Sequence, residues 1–110
     1  MTTLFKNKLA SGVGSTPTTI LTSSGSATTT VVGLSMTNTT GTILLASVQI
    51  NDTLASTSAY FVQNVVIPPN TTARIINGGE RLVLGASNTL IITSNTASSL
   101  DVVLSYVEIN

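Results

Sequence analysis

The 110-residue chain is 42% hydrophobic, only 7% charged and carries no net charge, whereas ordinary soluble domains are roughly 25% charged. Four basic residues cannot lay down a phosphate-tracking stripe, so nucleic-acid binding is disfavoured. The absence of cysteine excludes a disulfide framework and a thiolate metal site, and no apolar run approaches the ~18 residues of a membrane-spanning helix. Serine and threonine make up roughly a third of the residues, yet Val, Ile and Leu are too abundant for a disordered chain. Together these favour one β-rich domain. Few charges also mean little repulsion between copies, which predicts a subunit that associates with identical or partner subunits.

Residues 1–27 are weakly patterned and read as an N-terminal arm or as edge strands preceding a β-sandwich domain over residues 28–110. The N-terminal segment lacks the apolar stretch of a secretory signal. Leu4, Phe5 and Leu9 suggest a short strand, Ser11 to Pro17 a loop, and Thr18 to Thr22 a second strand. From Thr28 the pattern firms up. Val32, Leu34 and Met36 alternate with Gly33 and Ser35, the period-two signature of a half-buried strand, and Gly33 suggests a bulge. After the turn Asn38-Thr39-Thr40-Gly41, a returning strand presents Leu44, Ala46, Val48 and Ile50 inward. In Ala59 to Ile67 the inward set reads as Phe61, Val65 and Ile67, with the register formally ambiguous.

The segment Val65 to Leu84 organises this reading. Pro68 and Pro69 fix φ and lack amide donors, so they end a ladder. Asn77-Gly78-Gly79 tolerates positive φ and reads as a hairpin turn. The expectation is therefore a meander of three strands. Thr89 to Thr93 and Leu100 to Ile109 form a last hairpin, with Leu100, Val102, Leu104 and Tyr106 sharing a face. Helical periodicity is absent. Seven to nine short strands with turn chemistry between them predict an all-β fold, an antiparallel β-sandwich or jelly-roll-like barrel.

No catalytic residue is identified. Without histidine or cysteine, the common nucleophile–base arrangements are missing. Asp52, Glu80, Asp101 and Glu108 read as solvated turn and edge carboxylates rather than a glycosidase pair; Asp101 and Glu108 should face opposite sides of one strand. No metal or cofactor site is expected, because Asn51-Asp52-Thr53 is too sparse for calcium. Three Asn-x-Thr triplets begin at Asn38, Asn51 and Asn70, and read as coincidences of composition. Lys6, Lys8, Arg74, Glu80 and Arg81 are the candidate interface charges.

Four stretches, Val32 to Thr40, Tyr60 to Pro69, Arg81 to Leu84 and Leu100 to Ile109, resemble small virion structural proteins of tailed bacteriophages, a type familiar from cyanophages. The likeness spans Val31 to Asn110 and departs from the type at Gly85-Ala86-Ser87-Asn88, where an acidic turn is usual. It implies a non-enzymatic particle component, assembled in the host cytoplasm and residing in the virion. Its expected role is capsid decoration or cement on the phage major capsid protein, in homo-oligomeric form. The alternatives are a neck or tail adaptor or fibre-attachment protein, and, from a different class, a carbohydrate-binding or adhesin module. The resemblance transfers no site residues.

Overall fold

A tight hairpin at the middle of the chain sets the topology. β4 (Leu44–Asp52) and β5 (Thr57–Ile67) pair antiparallel. The carboxylate of Asp52 accepts hydrogen bonds from the amides of Leu54 and Ala55 (3.1 and 3.2 Å), the local closure expected of aspartate in a turn. Away from this hinge the two arms of the chain run side by side as one folded ribbon. β3 (Thr28–Asn38) pairs with β6 (Thr72–Leu84), β2 (Thr18–Thr22) with β7 (Asn88–Ser94), and β1 (Thr3–Val13) with β8 (Leu100–Ile109). The ribbon wraps into two four-stranded antiparallel sheets, ordered β1-β8-β3-β6 and β2-β7-β4-β5. This computed structural model, which describes residues 3–23, 25–26 and 28–109 and the side chains of all of these except 77–80, is thus an eight-stranded jelly roll.

The core lies between the sheets and follows period-two alternation. β8 contributes Leu100, Val102, Leu104 and Tyr106, and β4 contributes Leu44, Ala46 and Val48, with Ile50 packed at the margin. In β3 the buried set is Val31, Leu34 and Met36 rather than Val32. The reason is a register break between Val31 and Gly33, common to both of its pairings, which inverts the face of the strand. In β5, Ile67 is buried and Phe61, Val62 and Val65 are half-buried, because two bulges prevent either parity from holding along the strand. Asn64, at φ 52°, occupies the left-handed region within one of them.

The expected meander does not form. β5 and β6 lie in different sheets, so Pro68 and Pro69 end β5 but lead across the sandwich. Asn77-Gly78-Gly79 is not a hairpin turn either: the backbone continues through it as β6, with the six residues from Asn77 to Leu82 set against the three from Gly33 to Val31 on β3. The expected hairpins of β3 with β4 and of β7 with β8 are likewise arches between sheets. Alternation specifies which face of a strand is buried; it is silent on which strand lies alongside. β1 is also longer than expected. Gly12, at φ 69°, sits in a bulge that lets the strand reach Val13, shortening the loop to residues 14–17.

Two polar clusters tie the arches together at one end of the sandwich. Asn38 is fully buried. Its Nδ2 donates to the carbonyls of Thr42, Ile67 and Pro68 (2.7, 3.0 and 3.2 Å), and its Oδ1 accepts from the amide and hydroxyl of Thr40 (2.9 and 2.7 Å). One side chain thereby joins the β3–β4 and β5–β6 arches. Ser94 and Ser99, also buried, hydrogen-bond each other at 2.9 Å. Their amides donate to Gly14 and Val13 carbonyls (3.0 and 3.2 Å), binding the β1–β2 loop to the β7–β8 arch.

Candidate interaction surface

Of the ten exposed large apolar side chains among the described residues, five (Phe5, Leu9, Val83, Val103 and Ile109) gather on the outer face of the β1-β8-β3-β6 sheet. Register places Phe5 beside Val107 and Leu9 beside Val103, with Thr30 beyond Val107 and Val83 beyond Thr30. Phe5 is 83% exposed, Leu9 69%, Val83 62% and Val103 47%. Single exposed apolar residues need no explanation, but a contiguous strip of them marks an interaction surface. Shallow hollows run along β1 and β8. One of about 340 Å³ is lined by Phe5, Thr30, Val32, Arg81, Val107 and Ile109 and is open to solvent. It lacks the enclosing walls and convergent polar groups of a small-molecule site.

The candidate charges do not form one cluster. Lys6 bonds Glu108 at 3.2 Å across the β1–β8 pair. Lys8 is exposed two residues further along β1. Arg74 and Arg81 are exposed on β6, Arg81 at the rim of the hollow just described. Glu80 has its side chain outside the described residues. The carboxylates differ from the solvated groups expected. Asp101 accepts from the hydroxyl of Ser11 and the amide of Gly12 (3.1 and 3.2 Å), while Glu108 receives Lys6. As expected from their odd separation, they sit on opposite faces of β8, and both hold β1 in place. Among the described residues no three His, Cys, Asp or Glu gather as a metal site. Asn38 is too buried to carry a glycan, which closes the first Asn-x-Thr triplet.

Phe5, Leu9, Val103 and Val83 were missed by reasoning from charge alone. The signal was present in β8, where Val103, Val107 and Ile109 make three of the five outward residues apolar. A strand of an antiparallel sandwich ordinarily turns polar residues to water.

No protein-family model matches the chain, and no curated protein matches it in sequence. Its fold is shared with solved structures at low identity. A chain from the appendages of Bacillus endospores, described as a family of disulfide-linked pili, superposes with TM-score 0.53 at 14% identity, over 99% of this chain and 88% of that one. A chain of the T13 IBDV viral particle gives TM-score 0.53 at 12% identity, over 96% of this chain. This chain spans 35% of that particle protein's length. At such identities the likeness establishes the all-β sandwich fold.

Proposed function

We propose that this chain is a non-enzymatic structural subunit of a phage particle, a capsid decoration or cement protein that binds the major capsid protein and stabilises the head. The observation that carries the reading is the row of exposed apolar side chains on the outer face of β1, β8, β3 and β6, in a protein with no histidine and no cysteine and, among the described residues, no cluster of acids. Such a face suits contact with another protein, by many weak apolar and hydrogen-bonded contacts multiplied over many copies. The virion-protein resemblance over Val31 to Asn110 supports it, as does a fold shared with a chain of a virus particle. Homo-oligomeric association and the charges Lys6, Lys8, Arg74, Glu80 and Arg81 belong to the same proposal. Quantitative mass spectrometry of purified particles tests it. Hundreds of copies per particle are expected; about six or twelve would move the protein to the neck or tail; absence from particles, with glycan binding by a stable monomer, would sink it.

A second reading, a subunit of a surface filament, is favoured by the 88% coverage of the Bacillus appendage chain. With no cysteine, such a filament would be held without disulfides. Electron microscopy of the purified chain separates the two, since a filament subunit alone would polymerise.

A further inference from the structure

Each sheet has two edge strands, and three of the four are blunted. β2 is only five residues long and its register breaks between Thr19 and Leu21. β5 carries two register breaks and a left-handed Asn64. β6 is broken twice against β3. Short strands and bulges are the usual protection of a sheet edge against unwanted pairing. β1 is the exception, with unbroken register against β8 from Thr3 to Ala10 and its other edge open. Over Thr3–Leu9 every side chain is exposed, on both faces of the strand. Phe5 and Leu9 stand on the outer face, and Lys6 and Lys8 on the other.

We propose that the free edge of β1 takes up an extended strand of another protein, in which apolar residues alternate with acidic ones. This rests on reading the neighbouring sheet face as an assembly surface, and it names the partner's chemistry. Backbone amides and carbonyls of β1 supply the ladder, and side chains on the two faces supply specificity. Apolar residues of the incoming strand extend the Phe5–Leu9 row, and its carboxylates lie along the lysine row. The charge inventory selects a foreign strand over a second copy. Among the described residues all three acids are engaged within the chain, Asp52 by its own turn, Asp101 by Ser11 and Gly12, and Glu108 by Lys6, while Lys8 has no acidic partner. In-register pairing of β1 with another β1 sets lysine against lysine, a directly destabilising cross-strand pair.

The test uses the intact chain and two capped heptapeptides, valine alternating with glutamate and valine alternating with lysine. NMR titration and amide exchange are read on the isotope-labelled protein. The glutamate peptide is expected to bind about 1.4- to fivefold more tightly than the lysine peptide, the range for an exposed ion pair. It should slow exchange of those β1 amides that point away from β8. Lys8→Glu, at an exposed position, should reverse the preference, and Lys8→Gln should abolish it. Equal binding of the two peptides, binding of neither, or protection away from β1 overturns the proposal. So does a chain that sediments as a dimer with those amides already protected. Failure here with high copy number in particles leaves the particle reading standing; edge binding by a chain absent from particles removes only that reading.

Discussion

Asn38 does more for the arches than any other single side chain described. Its buried side chain bonds to the backbone of two different inter-sheet connections through both its amide nitrogen and its oxygen. Asn38→Ala leaves the Ile67 carbonyl and the Thr40 amide without these partners inside the protein, so a loss of about 2–3 kcal/mol is expected in urea unfolding. Gly14 offers a second test of the same end. A Cβ there would lie 3.2 Å from Ala97 Cα and Ser98 N, both backbone atoms that cannot swing aside. Gly14→Ala should cost about 1–3 kcal/mol. Gly41, in the adjacent arch, has nothing within 4 Å of the same position, so Gly41→Ala should be neutral or stabilise by up to about 1 kcal/mol. Thermal or urea unfolding of the pair reads both effects, and equal costs would show that the 13–14 segment yields more readily than its packing implies.

Among the elements, β1 is set apart by contributing ladder but little core. Of its eleven residues only Val13 is buried. Removing residues 1–8 should therefore keep a β-type circular dichroism spectrum and lower Tm by only a few degrees, of the order that 1 kcal/mol produces in a domain of this size. Removing residues 1–15 also takes away Val13 and the carbonyls that receive the Ser94 and Ser99 amides, and should abolish the cooperative transition. Strand positions and inward faces were legible in the sequence where alternation is clean, as in β4 and β8, and β2 was placed residue for residue. Alternation failed where a bulge inverts it, at Val31–Gly33 and Gln63–Asn64. Pairing was illegible almost everywhere, since Asn38-Thr39-Thr40-Gly41 suits an arch between sheets as well as a hairpin within one. The candidate charges stand out in a chain with so few but do not gather in one cluster, and the apolar row emerges only when β1, β8, β3 and β6 are placed side by side.

At the scale of the molecule, the sandwich measures 45 × 28 × 21 Å, a slab with one apolar face and one open edge at the same side. That geometry suits a tile laid against or between larger subunits. It also governs kinetics. Three of the four strand pairs that close the ribbon join its distant arms, and the outermost, β1 with β8, joins Thr3 to Ile109. Loops of that length must close before their contacts can stabilise anything. Stopped-flow refolding should fall in the range of milliseconds to seconds typical of such all-β topologies, and microsecond folding would contradict the mirrored pairing.

The mirrored ribbon has a last consequence, for biosynthesis. While the first half of the chain leaves the ribosome, β1, β2 and β3 have none of their partners, because β8, β7 and β6 have not been made. The first native pair available is β4 with β5, and β1 waits for the last strand of all. During that interval the nascent chain displays unpaired, apolar, weakly charged strands. Lys6 and Lys8 are then the only charges on its first three strands, placed on the strand that must stay soluble longest.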